Sequence, residues 1–328
     1  KLMKLKFLKD KNIFIFGGTG SFGKKMISFL LKKIDVNKII IYSRDENKQY
    51  KLKKLYNSKK FRFFIGDVRD KDRLNWALTE DIDVLIHTAA LKQVPATEYN
   101  PFETVKTNII GSQNLIEVSL KKNIKKVLLI STDKAVSPIN LYGSTKLTAE
   151  KLFISANIFK GSKKSNFSVI RYGNVMGSRG SVIPIFLSQK QKNFFTVTNE
   201  NMTRFSITLD YAVKFVSRCI STMKGGEIFV PKLPSYRILD LVKAIDPLKK
   251  IKIIGIRTGE KIHEELVSSN EFSLSNEKSN SFIIYPLKNY QKKANINKSY
   301  NSFNNPVFLS ANEIKKIISK NKKDFDSI

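Results

Sequence analysis

The run Asn12-Ile13-Phe14-Ile15-Phe16-Gly17-Gly18-Thr19-Gly20-Ser21-Phe22-Gly23 decides how this chain folds. Asn12–Phe16 is short and mainly apolar and reads as a strand. Gly17, Gly20 and Gly23 follow as G-x-x-G-x-x-G, and Met26 to Leu31 then reads as a helix. Glycines in a strand-to-helix turn let the backbone approach a pyrophosphate, whose charge the helix N-terminus stabilises. Glycine turns are common, so the pattern alone is weak. Its place between a strand and a helix makes it a nucleotide site built from Gly17, Thr19, Gly20, Ser21, Phe22 and Gly23.

Outward from this turn the same alternation repeats. Strands are expected at Lys38–Tyr42, Phe61–Ile65, Asp83–Thr88, Lys126–Ser131 and Phe167–Tyr172, with helices over Thr104 to Leu120 and Leu147 to Phe159. Strands alternating with helices indicate a Rossmann-type, doubly wound parallel α/β sheet. Ligands bind beyond the carboxyl ends of such strands. Residues 1–175 read as the nucleotide domain, rejoined by a helix over about 205–223. Residues 176–328 read as a smaller C-terminal α/β substrate domain. Within it the expectations are a strand at Glu227–Pro231, a helix at Ile238–Ile245, a strand at Lys252–Ile256 and a helix starting in Glu260–Val267. A loop is expected over Ser268–Ser281 and a terminal helix at Glu313–Ile318. The tail 289–328 is otherwise unreadable.

The 328 residues carry 59 Lys and Arg against 28 Asp and Glu, a net charge of +31. Such a balance raises nucleic acid or an anionic membrane as partner. Only ten of the basic residues are Arg, however, and the lysines are spread in pairs and triplets over nearly every segment. That is a solvated basic surface, not a binding stripe, and no nucleic-acid or membrane partner is expected. Its field would still attract a nucleotide-sugar diphosphate. No run of about 18 apolar residues is present, and the single Cys219 fits a reducing compartment. The chain reads as soluble and cytoplasmic. Its two histidines, His87 and His263, lack a metal-ligand pattern, and no metal is expected.

The end of the second strand distinguishes the dinucleotides. An acid there would bind the adenine ribose hydroxyls of NAD. Tyr42 is followed instead by Ser43-Arg44-Asp45. Ser43 and Arg44 suit a 2′-phosphate, and Asp45, one step further out, can pair with Arg44. NADP is therefore favoured. Asp67 and Val68, after the third strand, can hold the adenine amino group, or Asp67 can cap its own loop.

The stretch Ser131-Thr132-Asp133-Lys134, continuing to Leu141-Tyr142-Gly143-Ser144-Thr145-Lys146, carries the chemistry. Tyr142 and Lys146 fall one turn apart if Tyr142 opens the next helix. A phenol is a poor base at neutral pH. A nearby ammonium and an oxidised nicotinamide would lower its pKa and let it take a proton as hydride leaves. Asp133 and Lys134 add something a plain dehydrogenase does not need. Once a sugar hydroxyl becomes a ketone, the neighbouring C–H is acidic. Lys134 as base would need a depressed pKa, and Asp133 as acid a raised one. A structural ion pair is the other reading.

These motifs, with IIIYSRDE, FFIGDVRD, AALKQVPATEYNP, RYGNVMGSRGSV, MTRFSITLD, GGEIFVPKLPS and GIRTGEKIHEE, resemble the extended short-chain dehydrogenase/reductase superfamily. More closely, they are similar to inverting UDP-N-acetylglucosamine 4,6-dehydratases, which begin pseudaminic acid synthesis for flagellin glycosylation. The resemblance runs from about Asn12 to about Pro286. It implies oxidation of the sugar at C4, loss of the C5 proton to Lys134, loss of the C6 hydroxyl helped by Asp133, and hydride return to C6. It also implies a homo-oligomer. Thr88, Ala89 and Lys92 would join the cofactor site. Lys92, Thr132, Asn174, Ser181, Val182, Arg204, Arg257 and Glu260 would bind the substrate, UDP-N-acetylglucosamine. Arg204 and Arg257 suit a diphosphate because guanidinium forks match phosphate oxygens. Arg204 could instead pair with Asp210, and Glu260 could be a first-turn helix acid. Tyr142 favours the flagellin-glycan type, since related enzymes carry Met there. Phe16 and Thr258 depart from the usual Thr and Pro, and Phe16 could crowd the cofactor loop. A nucleotide-sugar epimerase of the same superfamily is the alternative.

Overall fold

The computed structural model describes residues 7–79, 81–177, 182–287 and 298–321. Six strands form the parallel heart of one sheet: β1 (Asn12–Phe16), β2 (Lys38–Ser43), β3 (Phe61–Ile65), β4 (Val84–His87), β5 (Lys126–Thr132) and β6 (Asn166–Tyr172). Their spatial order is β3-β2-β1-β4-β5-β6. β1, β4 and most of β2, β5 and β6 are buried, as continuous Ile/Val/Phe/Leu runs demand of strands covered on both faces. The order reverses between β1 and β4, where Phe16 pairs with both Tyr42 and His87. That reversal opens a crevice at the carboxyl edge.

Helix α1 (Ser21–Lys33) starts at the glycine turn and buries Met26, Ile27 and Leu30. Gly17 sits at φ +71°, and an added Cβ would stand 2.6 Å from the Thr88 Oγ1. Only glycine lets the turn lie against the end of β4. Phe16 does not crowd this turn. It is fully buried, its ring 5.0 Å from that of Tyr42.

Three helices escape the apolar periodicity. Glu46–Tyr56 and Lys71–Ala77 are set by their caps, Asp45 accepting from the Lys48 N–H and Asp70 from the Arg73 N–H. The third, Val94–Tyr99, has Pro in its first turn. The long helix expected over Thr104 to Leu120 is interrupted by a π turn at Lys106–Ile110. There Asn108 donates to the Leu91 carbonyl at 2.9 Å and to Thr145 Oγ1 at 3.0 Å, clamping the loop after β4 to the next helix.

The sheet extends further than the sequence indicates. Ile228–Pro231 adds in parallel to β6, and Ser281–Ile284 and Ser275–Glu277 add antiparallel beyond it. The Ser/Asn/Glu-rich run read as a loop therefore holds a strand, and also a short helix, Ser269–Phe272. Its Ser268–Glu271 capping box fixes that helix, and a hairpin with Ser281–Ile284 fixes the strand. The helix expected to start in Glu260–Val267 is not formed. The chain makes a turn and then a strand, Glu265–Val267, paired with Tyr300–Asn301 from the tail. The strand expected at Lys252–Ile256 lies at Lys250–Ile253, beside Phe194–Val197.

A second core gathers Ile183, Phe186, Phe195, Tyr236, Leu241 and Ile314. Helix Leu209–Thr222 instead puts Val213, Val216 and Ile220 into the main core, with Ser217 against Met26 of α1. No described helix is long and apolar enough to cross a membrane.

Candidate active site

A cavity of about 610 Å³ runs along the carboxyl edge from the glycine turn, past Tyr142, to Arg257. β5 ends there at Thr132, followed by one 3-10 turn, Asp133–Ala135. Thr132 Oγ1 donates to Asp133 Oδ1 at 2.8 Å. Asn140 Oδ1 accepts from the Gly143 N–H at 2.8 Å and starts helix Leu141–Phe159, six residues before its apolar pattern begins. Gly143 packs so closely on the preceding turn that an added Cβ would collide with the Lys134 carbonyl. Tyr142 and Lys146 thus share the first turns of a helix pinned to the Asp133–Lys134 turn.

Both side chains line the cavity and are nearly buried. Lys146 Nζ donates to the Ile130 carbonyl at 2.8 Å. Burial brings its pKa down to about 8, with Glu150 one turn away opposing. The lowered phenol pKa expected for Tyr142 is not found in the protein alone. Burial pushes it up to about 12, against the charge of Lys134 and a hydrogen bond with Thr132.

Lys134 overturns an expectation more sharply. Its Nζ lies 3.1 Å from Asp133 Oδ1, 3.1 Å from Glu264 Oε1 and 3.3 Å from Asn174 Oδ1. Burial alone would lower its pKa, but the two carboxylates outweigh burial and raise it. The lysine therefore rests charged rather than poised as a base. Asp133 agrees with its expectation, since burial and the Glu264 charge raise its carboxyl against the pull of Lys134. Burial also pushes Glu264 upward, but Lys134 and Arg204 outweigh it and hold that carboxyl low. Asp133 Oδ2 and Glu264 Oε2 are both buried without a hydrogen-bond partner among the described residues. Lys134 lines the cavity, while Asp133 is 1% exposed and lies behind it. Glu264 escapes the sequence reading. It stands in the HEE of GEKIHEE, a run read as a helix start, and only the fold carries it to β5.

Of the cofactor residues, Gly17, Gly20, Ser21, Phe22, Gly23, Thr88 and Lys92 line the cavity. Thr19 is buried within the turn. Ser43 and Arg44 lie further out, at the end of β2. Arg44 does not pair with Asp45, which caps its own helix and bonds Lys48. It sits 3.9 Å from Asp67 instead, with its side chain 61% exposed. Asp67 is held by Arg69, its carboxylate accepting from the backbone N–H at 3.0 Å and from Nη2 at 2.7 Å. Val68 is buried, its carbonyl accepting from Asn114. Ala89 follows Thr88 beside Gly17.

Of the substrate residues, Lys92, Thr132, Asn174, Val182, Arg204, Arg257 and Glu260 line the same cavity, and Ser181 lies outside the described residues. Asn174 turns its Oδ1 to Lys134. Arg204 makes no pair with Asp210, which bonds Lys25 at 3.2 Å. Its guanidinium donates to the carbonyls of Thr203, Ile262 and Lys261 at 2.8, 2.8 and 2.9 Å, and lies 3.8 Å from Glu264. Glu260 opens no helix. It follows the Gly259 turn, where its Oε2 accepts from the Arg257 N–H at 3.4 Å. His87 is buried beside Ser112, and His263 Nδ1 lies 2.9 Å from Thr203 Oγ1. Among the described residues no group of three or more His, Cys, Asp or Glu is placed to hold a metal.

Comparison with known proteins finds relatives over nearly the whole chain. The chain is 48% identical over 327 residues to UDP-N-acetylglucosamine 4,6-dehydratase (inverting) of Campylobacter jejuni subsp. jejuni serotype O:2, covering 94% of this chain and 97% of that protein. It is 43% identical over 283 residues to a UDP-glucose 4-epimerase of Rickettsia bellii, covering 84% and 83%. The solved structure of Pen from Bacillus thuringiensis superposes with a TM-score of 0.88 at 40% identity, covering 96% of this chain and 99% of that one. The family model described as polysaccharide biosynthesis protein matches residues 13–286. The chain therefore belongs to the polysaccharide biosynthesis protein family, built on the short-chain dehydrogenase/reductase fold.

Proposed function

We propose that this protein is an NADP-dependent, C5-inverting UDP-N-acetylglucosamine 4,6-dehydratase, a hydro-lyase. The observation that carries the reading is Lys134, held 3.1 Å from each of two buried carboxylates beside Tyr142. A ketone-forming pair next to an acid–base trio suits an oxidation that serves an elimination.

The glycine turn and the end of β4 fit a dinucleotide at the β1/β4 reversal, since only hydrogen at Gly17 allows their close approach. Ser43 and the exposed Arg44, with no acid directly at the end of β2, favour a 2′-phosphate. The glycine turn, Ser43 and Arg44 would hold NADP, which would supply the hydride acceptor for C4 and the donor for C6. Tyr142 takes the C4 hydroxyl proton, helped by the Lys146 charge. Lys134 removes the C5 proton that the new ketone acidifies, and Asp133 supplies the proton with which the C6 hydroxyl leaves as water. A proton delivered to the opposite face of C5 balances the one taken at C4. The product is UDP-2-acetamido-2,6-dideoxy-β-L-arabino-hexos-4-ulose, the first intermediate towards pseudaminic acid and flagellin glycans. Arg257 and Glu260 are left to the diphosphate and uridine, because the Arg204 fork is occupied by carbonyls. The enzyme works as a cytoplasmic homo-oligomer with a nucleotide domain over 1–175 and a substrate domain over 176–328.

The epimerase reading is favoured by the identity to the Rickettsia relative. C4 epimerisation needs no eliminating pair, and the trio argues against it. Incubation with UDP-N-acetylglucosamine distinguishes the two. A product lighter by one water, with L-arabino stereochemistry by NMR, supports the proposal; an unchanged mass refutes it.

A further inference from the structure

We propose that Glu264 is a positioning residue that keeps the transferable proton of the Asp133–Lys134 pair inside the site. When Lys134 becomes the base, its proton then passes to Asp133 rather than to water. The inference rests on the dehydratase reading and deepens it.

The starting point is a conflict. The reaction needs a neutral amine at Lys134, yet the lysine is clamped between two carboxylates. Glu264 resolves it by acting on both members of the pair alike. Its charge attracts the Lys134 ammonium and repels the Asp133 carboxylate. Release of the lysine proton to solvent costs the first interaction and recovers nothing. Transfer along the 3.1 Å contact to Asp133 Oδ1 costs the first and relieves the second, so the second offsets part of the first. The groups facing Lys134 are Asp133 and Asn174, from the facing segment Glu264 and Lys261, and from the strand Thr203–Phe205 Arg204, with Tyr142 and Tyr236 close by. Among these, Glu264 is the carboxylate held in place by Arg204, 3.8 Å away.

Glu264 is also braced from a distant part of the chain. Its N–H donates to Ser302 Oγ at 2.9 Å, and the Ser302 N–H donates to the Glu264 carbonyl at 2.7 Å. Ser302 Oγ lies 2.7 Å from Thr203 Oγ1. A surface acid needs no such support.

The proton balance closes. Lys134 ammonium and Asp133 carboxylate become amine and carboxylic acid. The amine takes the C5 proton and is again an ammonium. The acid proton moves to Thr132 Oγ1, 2.8 Å away, whose own proton goes to the C6 oxygen as the C–O bond breaks. Water departs, and the pair returns to its first state.

The test is the pH dependence of kcat for dehydration in the wild type, Glu264→Gln and Glu264→Asp, with folding checked by thermal melting. Removing the charge lowers the proton affinity of both partners, so the whole profile of Glu264→Gln should move to lower pH by about 1 unit or more. Glu264→Asp should lose rate while its profile stays in place. If Glu264→Gln does not fold, Glu264→Asn gives the same neutral replacement. A neutral variant with the wild-type profile, or an Asp variant shifted equally, overturns the inference. Absence of dehydration in the wild type would overturn the functional reading instead.

Discussion

Arg171 and Glu150 meet face to face in the core, Nε donating to Oε1 at 3.1 Å and Nη2 to Oε2 at 2.6 Å. Arg171 also donates to both carboxylate oxygens of Glu271 at 2.9 Å. One guanidinium thus ties β6 to helix Leu141–Phe159 and to the short capped helix after Glu265–Val267. Arg171→Ala leaves Glu150 buried and unpaired and should cost about 3–5 kcal/mol. Urea unfolding should show the midpoint falling accordingly.

Lys134→Ala removes the cation between Asp133 and Glu264 but leaves Tyr142 and Lys146 in place. Dehydration should fall by about 10²–10⁴-fold, while slow C4 oxidation persists. Absorbance of reduced nicotinamide that accumulates without loss of water from the sugar is the expected signature. Turnover at the wild-type rate would remove Lys134 from the chemistry.

Arg44→Ala should weaken NADP by roughly ten-fold or more and NAD much less. Titration calorimetry with both dinucleotides measures the ratio. Equal losses would mean that Arg44 serves only its contact with Asp67.

Lys146 should make stability depend on pH. Its folded pKa, about 8, lies below the ordinary lysine value of 10.5. Between those values the unfolded chain binds more protons, so stability contributed through this residue rises with pH. Below about 8 the cost of the buried ammonium is fully present. Lys146→Met should therefore melt above the wild type at pH 7, and the difference should shrink towards pH 10. Melting curves of the two proteins across that range test the sign. A constant difference would contradict it.

Gly143→Ala forces a methyl into the Lys134 carbonyl. The helix start must then lift from the Asp133–Lys134 turn, and both activity and melting temperature should fall together.

Most of the fold is legible because most of the parallel strands are buried on both faces, which leaves runs such as Lys38–Tyr42 and Phe167–Tyr172 in the sequence. What the sequence hides depends on distant partners. Ser281–Ile284 is a strand because Ile228–Pro231 lies beside it, and Glu265–Val267 because the tail does. The site divides the same way. Tyr142, Lys146, Asp133 and Lys134 fall within fourteen consecutive residues and can be read as one stretch. Glu264 lies 130 positions from Lys134. The charge state of Lys134 depends on that contact, so local sequence suggests a lowered lysine pKa where the fold produces a raised one.

The hydrogen bonds between Ser302 and Glu264 also bear on synthesis. On the ribosome the glycine turn and its strands emerge early and can pack as a unit. Ser302 emerges long after them. A nascent chain could therefore hold its dinucleotide well before its acid–base trio is locked. Birth as a binding protein would precede birth as a catalyst, and the interval would be set by the time needed to translate the tail.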